Sequence, residues 1–172
     1  MNVLAIGSDR SRGIPSSATA KRQVAYGMRF GDLRIIVFSL REQRMASYAL
    51  SVETHVYATA SSFRTLYGWS AFWIARKLPI PDVVTVQDPF ETGLIGWVIA
   101  RTSGSAFHVQ VHTDFRSPAF RRSLLNRLRV ALARFIIGRA DRIRVVSERI
   151  KDSIEAAYAP RRSHRPSRPT NA

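Results

Sequence analysis

The chain has 172 residues, 45% of them apolar, and its 27 Lys and Arg against 12 Asp and Glu give a net charge of +15. Such a length suffices for one domain with a proper core, and no apolar run approaches the roughly 18 residues that cross a bilayer, so a globular class is indicated and a membrane-spanning helix is excluded. The first residues lack the basic leader and long apolar segment of a secretory signal and cysteine is absent, which makes a cytoplasmic location the expectation, while the basic excess calls for an anionic partner such as nucleic acid, an anionic membrane surface or phosphorylated ligands.

Val3-Leu4-Ala5-Ile6 predicts a first strand, followed by a polar loop over 7–17 that contains Gly7 and Gly13. Ser16 or Ser17 can cap a helix over 18–28, because a serine hydroxyl accepts from the free amides of a first helical turn. A strand, a Gly/Ser loop and a helix N-terminus in that order can hold an anion. Neither of the common phosphate-loop glycine spacings is present, so the same residues also read as an ordinary connection. Residues 33–38 predict a second strand, apolar enough to be buried on both faces. Short strands follow at Tyr48-Ala49-Leu50 and at His55-Val56-Tyr57. His55 has no acidic or histidine neighbour at metal-ligand spacing. Ser61 or Ser62 is expected to cap a helix over 63–78, whose Leu66, Trp69, Phe72 and Trp73 are assigned to the core by their spacing. Pro79 and Pro81 end that helix.

The chain is organised around residues 82–117. Val83-Val84-Thr85-Val86 runs into Gln87-Asp88-Pro89-Phe90-Glu91, and Phe107-His108-Val109-Gln110-Val111 runs into His112-Thr113-Asp114. Between them a helix is expected over 90–102, with Gly93 and Gly96 allowing close approach to the sheet. Two such runs about a helix read as a βαβ unit with parallel strands, and open parallel sheets bind ligands beyond the carboxyl ends of their strands. Asp88 can accept a ligand hydroxyl or cap the helix, and Glu91 complements the helix dipole. His112 stands where an imidazole can donate to a ligand hydroxyl or polarise a carbonyl; the alternative is a hydrogen-bonded structural histidine.

A long helix is expected over 117–138. Leu124, Leu125, Leu128, Ala131, Leu132, Phe135 and Ile136 form its predicted apolar stripe, with Arg122, Arg127, Arg129 and Arg134 outside it and no acid between 115 and 140. Such a helix lays its stripe on the core or, as a basic amphipathic element, on an anionic membrane. Residues 142–146 predict the last strand, and Ser147 caps a helix to about 158. From Pro160 onward Pro, Arg and Ser mark a disordered tail. The expected organisation is an α/β domain over 1–158 with a mostly parallel sheet and helices on both faces, then a tail over 159–172.

Three segments carry a resemblance: Gln87-Asp88-Pro89-Phe90-Glu91-Thr92-Gly93-Leu94, then Val109-Gln110-Val111-His112-Thr113-Asp114-Phe115, then Ala140-Asp141-Arg142-Ile143-Arg144-Val145-Val146-Ser147 and the four residues after it. In that order they resemble the N-terminal half of family 4 retaining glycosyltransferases, and Ile6-Gly7-Ser8-Asp9-Arg10 with residues 31–39 resembles a bacterial subset of them. The resemblance implies one Rossmann-like half of a two-domain GT-B enzyme. It implies transfer of a hexosyl group from a nucleotide-sugar to a hydroxyl of a lipid or polysaccharide, with retention and without a metal or other cofactor. By the same resemblance His112 contacts the donor sugar as the catalytic candidate. The loop 7–17, with Gly13 and Ser16, borders the diphosphate and acceptor, although the family's paired glycines are absent from it. Asp88, Glu91, Thr113 and Asp114 complete the expected donor and acceptor contacts. A second domain with the nucleotide-binding carboxylates is expected from the family and not found in these 172 residues, so the chain alone is expected to be inactive. That domain would be a separate chain, or lost with a truncated reading frame. Two other classes fit less well: nucleic-acid binding lacks a zinc, ribonucleoprotein or helix-turn-helix motif, and a dinucleotide oxidoreductase lacks the glycine fingerprint.

Overall fold

In a computed structural model the described residues are 1–158, so the tail expected over 159–172 lies outside them. Seven strands alternate with five helices: β1 Asn2–Gly7, α1 Ala18–Phe30, β2 Asp32–Val37, β3 Tyr48–Ser51, β4 Thr54–Ala58, α2 Tyr67–Arg76, β5 Val83–Val86, α3 Glu91–Ser103, β6 Ala106–Val111, α4 Leu124–Ile137, β7 Arg142–Val145 and α5 Glu148–Tyr158. The strands form one sheet in the order β3-β4-β2-β1-β5-β6-β7, parallel except for the β3/β4 hairpin. From β1 the chain builds outward first through β2 and then, after α2, through β5. The reversal of order between β1 and β5 is the switch point where open α/β sheets hold ligands. This is the mostly parallel, Rossmann-like α/β fold expected from the sequence.

Side-chain alternation decides which face each helix covers. Leu4, Ile6, Val84, Val86, Phe107, Val109 and Val111 point to one face, where α2, α3, α4 and α5 contribute Ala71, Ile99, Ala133, Ile136, Ile150 and Ile154. Val3, Ala5, Leu33, Ile35, Val37 and Val56 point to the other face, against Phe30 at the end of α1. β2 is apolar from Ile35 to Val37, where both its faces are covered, whereas Asp32 and Arg34 at its start pair with each other at 2.6 Å. The second helical layer is thin, however. α1 packs over β2, β3 and β4. Beside it, β5 to β7 present Thr85, His108, Gln110 and Arg144, none of them fully buried, while the alternating Val84, Val86, Val109 and Val111 are. Parallel sheets are ordinarily covered on both faces, so this open half is unusual.

The tight fit of α3 depends on Gly96. A Cβ there would lie 2.2 Å from Cγ1 of Val86 and 3.3 Å from Cε2 of Phe107, so only glycine allows the helix to rest on β5 and β6 at this depth.

Four sequence expectations are corrected. The helix assigned to 63–78 is a 3₁₀ turn over Arg64–Leu66 followed by α2, and neither serine caps it. Ser61 is instead buried, its amide donating to Ser39 O (2.9 Å) and its hydroxyl to Ser70 Oγ (2.8 Å). Of the aromatics assigned to the core on this helix, Phe72 packs against it, but Trp69 is 63% exposed and Trp73 47%. The side of α2 that packs inward carries Tyr67, Ala71, Ile74 and Ala75. The long helix over 117–138 breaks at Ser123, which is extended (φ −96°, ψ 151°) and whose hydroxyl accepts from Asn126 N to start α4. The stripe assigned to its core side is right only in part, since Leu132 and Ile136 pack inward and the others do not. Leu124, Leu125 and Leu128 face solvent, whereas Val130, Ala133, Ile136 and Ile137 turn inward.

Candidate functional site

The predicted donor and acceptor residues follow β1, β5 and β6 at the carboxyl edge, and aromatic packing draws the loops after β5 and β6 together. After β5, Phe90 is buried and meets Phe115, which follows β6, edge to face at 5.9 Å, and stacks on Phe120 at 5.6 Å. This contact fixes Asp88 and His112, two and three residues before those rings, on one rim. Asp88 Oδ1 accepts from Phe90 N at 2.9 Å, and its backbone carbonyl accepts from Thr92 Oγ1 at 3.2 Å. Its carboxylate therefore shapes the turn that leads into α3 without capping the helix, whose N-cap is Phe90 and receives no side-chain cap bond. Burial pushes the Asp88 carboxyl above its usual range, with the Phe90 amide and the Arg129 guanidinium pulling in the opposite direction. Glu91, in the first turn of α3, pairs with Arg129 at 2.7 Å. That guanidinium also lies over Phe90, so two residues assigned from sequence to different surfaces share one ion pair. Both are partly exposed, which limits the pair to about 1 kcal/mol.

His112 follows β6 directly and is exposed, with Nε2 3.4 Å from Gln110 Oε1. Thr113 is exposed beside it, and Asp114 pairs with Arg149 of α5 at 3.4 Å. In the first loop Asp9 Oδ1 accepts from Ser11 N (3.0 Å) and Ser11 Oγ (2.6 Å), shaping the 3₁₀ turn that ends at Gly13. Ser17, not Ser16, caps α1, its hydroxyl accepting from Ala20 N at 3.0 Å; Ser16 is exposed. These bonds use loop amides that a bound phosphate would otherwise occupy.

The main cavity, about 620 Å³, runs from this rim down the open half of the sheet. His112, Asp9 and Gln87 stand at its upper end; Thr85, His108, Gln110 and Arg144 form its floor, and Thr19, Arg22 and Gln23 of α1 form a wall. Gln87 ties the rim together, because Asp9 N donates to its Oε1 at 3.5 Å. A Cβ at Gly7 would lie 1.9 Å from that oxygen, so the glycine after β1 makes room for this side chain. On the floor Gln110 Nε2 donates to Thr85 Oγ1 (3.3 Å), and the Thr85 hydroxyl sits 2.9 Å from His108 Nδ1. That hydroxyl can accept from Gln110 and still donate its proton to Nδ1, an arrangement that suits a neutral imidazole with the proton on Nε2. Burial, and then the charge of Arg144, holds the His108 pKa below the usual value, consistent with that neutral ring.

Gln87, His108, Gln110 and the arginines of this cavity were not singled out from sequence. The available signal was the alternation His108-x-Gln110-x-His112, which puts three polar side chains on one face of β6. Of the residues that were singled out, only His112 lines the cavity; Asp88, Glu91, Thr113 and Asp114 do not, Glu91 and Asp114 pairing instead with Arg129 of α4 and Arg149 of α5. Arg122, Arg127 and Arg134 lie exposed around α4. Among the described residues no group of three or more His, Asp or Glu side chains is placed to hold a metal, and no helix is long and apolar enough to cross a membrane.

Comparison with known proteins gives two results. The family described as "Glycosyl transferase 4-like domain" matches residues 17–166. Among solved structures, the UDP-GlcNAc 2-epimerase from Methanocaldococcus jannaschii superposes with a TM-score of 0.54 at 15% identity over 91% of this chain. The chain spans 42% of that protein's length. No curated protein matches the sequence.

Proposed function

The chain belongs to the glycosyl transferase 4-like family, and on that premise we propose that it is the acceptor-side half of a two-domain GT-B transferase. The reaction is transfer of a hexosyl group from a nucleotide-sugar to a hydroxyl of a lipid or polysaccharide. The bond from the anomeric carbon to the phosphate oxygen breaks, and the nucleoside diphosphate leaves with its electron pair. The acceptor oxygen bonds to that carbon and gives up its proton. The observation that carries this reading is the cavity opening at the switch point, with His112, Gln87 and Asp9 at its mouth. An exposed imidazole with Gln110 beside it can orient a sugar hydroxyl, and the amide of Gln87 offers a further polar contact.

In this reading the nucleotide is held by a second unit, in the same polypeptide or in a separate chain, facing the carboxyl edge. The share of the structural neighbour left unspanned and the open half of the sheet both support a missing companion. The test uses the 172-residue protein with simple alkyl glycosides and a panel of nucleotide-hexoses. We expect the His112 imidazole resonances to shift on adding glycoside, and no nucleoside diphosphate to be released. Turnover by this chain alone would overturn the two-part reading, and a His112 signal unmoved across the glycoside panel would overturn the acceptor role.

A further inference from the structure

The helical layer carries a second apolar surface that no described part of the chain covers. In α4 the core side is Val130, Ala133, Ile136 and Ile137, yet Leu124, Leu128 and Phe135 recur on the opposite side at helical spacing. Leu124 is 77% exposed and Leu128 70%. α2 repeats the arrangement. Tyr67, Ala71, Ile74 and Ala75 pack inward, while Leu66, Trp69 and Trp73 face out, the two indoles meeting edge to face at 5.6 Å. α3 lies between and touches both neighbours. It turns Leu94 outward and packs Trp97 against Phe135. With packed helices about 10 Å apart, the outward sides of the three form one broad apolar surface.

Charge identifies what covers it. Residues 62–81 and 115–140 contain no acid, and the sole acid of α3, Glu91, is occupied by Arg129. Around the surface stand Arg64, Arg121, Arg122, Arg127 and Arg134, all exposed. We propose that the outer surface of α2, α3 and α4 seats the protein on an anionic lipid bilayer. The leucines and indoles enter the headgroup boundary, where tryptophan is favoured. The arginines meet lipid phosphates. A second copy of this chain is a poorer occupant, because a two-fold contact would set these arginines against their own counterparts. The seat does not rest on the transferase reading, since lipid binding is measured without turnover.

The test is co-sedimentation of the 172-residue chain, at physiological salt, with vesicles of equal parts phosphatidylglycerol and phosphatidylcholine and with pure phosphatidylcholine. Indole emission is followed in parallel. We expect binding to the mixed vesicles with a blue shift from Trp69 and Trp73. Two pairs, Leu124→Ser with Leu128→Ser and Trp69→Ser with Trp73→Ser, keep every arginine and alter only exposed positions. Each is expected to weaken binding about tenfold or more, as loss of two inserted apolar side chains requires. No binding to the mixed vesicles by the unaltered protein would overturn the proposal. Binding that both pairs leave unchanged would also overturn it, because arginine charge alone would then suffice. A dimer dissolved by the same substitutions, in protein that ignores vesicles, would assign the surface to a second copy instead.

Discussion

Replacing Gly96 with alanine sets two effects of known size against each other. In a helix interior alanine is favoured over glycine by about 1 kcal/mol. Here the new Cβ would start 2.2 Å from Val86 Cγ1, where carbon atoms rest at roughly 3.5–4.0 Å. A displacement of at least about 1.3 Å is needed, and Val86 is a poor candidate to supply it. It is fully buried, and its branched side chain is stiff about χ1. Phe107 at 3.3 Å blocks the adjacent direction. Overpacking costs about 1–3 kcal/mol, and a displacement this large against a stiff, buried side chain belongs to the upper part of that range, about 2–3 kcal/mol, so Gly96→Ala should lose a net ~1–2 kcal/mol. With a urea slope of about 2 kcal/mol/M, the unfolding midpoint falls by roughly 0.5–1 M. The cause is isolated by repeating the substitution in a Val86→Ala background. With the clashing methyl removed, the penalty should vanish and the helical preference of alanine emerge as a gain. A raised midpoint for Gly96→Ala in the otherwise unaltered protein, or an equal loss in both backgrounds, would refute the argument that glycine sets the depth of α3.

Two further predictions concern titration. The His108 pKa is lowered in the folded protein by burial and by Arg144, so the folded state binds this proton less readily than the unfolded chain. The neutral ring's contribution to stability is complete above the unfolded value of about 6.5 and is lost as pH falls below it. The urea midpoint should therefore decline between pH 7.5 and 5.5, and a His108→Gln variant should decline less; equal slopes would remove His108 as the cause. For Asp88 the sign is opposite, because burial raises its pKa and the charged form is penalised at neutral pH. Asp88→Asn keeps an oxygen for the Phe90 amide without the charge and should be at least as stable as the parent at pH 7, while Asp88→Ala loses that hydrogen bond, about 1 kcal/mol. Thermal melts that order the two variants the other way would assign Asp88 a role that needs its charge.

Much of the strand framework was legible because it depends on local alternation and turn chemistry. β5 and β6 with their polar sequels lie where the runs from Val83 and Phe107 indicated. Ser17 and Ser147 also cap their helices as the sequence suggested, Ser147 accepting from Ile150 N at 3.4 Å. The orientation of α2 and α4 was not legible. Both helices have apolar residues on two opposite sides, and periodicity identifies a stripe without saying which way it points. The larger residues, Trp69, Trp73, Leu124 and Leu128, dominate such a pattern, whereas close contact with a sheet selects small ones, Ala71 and Ala133 among them. The break at Ser123 had a local signal, the polar run Arg121-Arg122-Ser123 directly before Leu124, where the apolar stripe begins. Most of the cavity was missed for a different reason. Its polar floor joins side chains 23 and 25 residues apart, Thr85 with His108 and Gln110, through strand pairing that no local window contains.

The bare half of the sheet also bears on how such a protein can change. Along β6, Phe107, Val109 and Val111 answer to the core, while His108 and Gln110 answer to Thr85 and to whatever occupies the cavity. Substitutions should therefore be tolerated with a period of two, the permissive positions being those that line the cavity. Binding preference could then drift through many variants while the folding requirement, held on the opposite side of the same strand, stays constant.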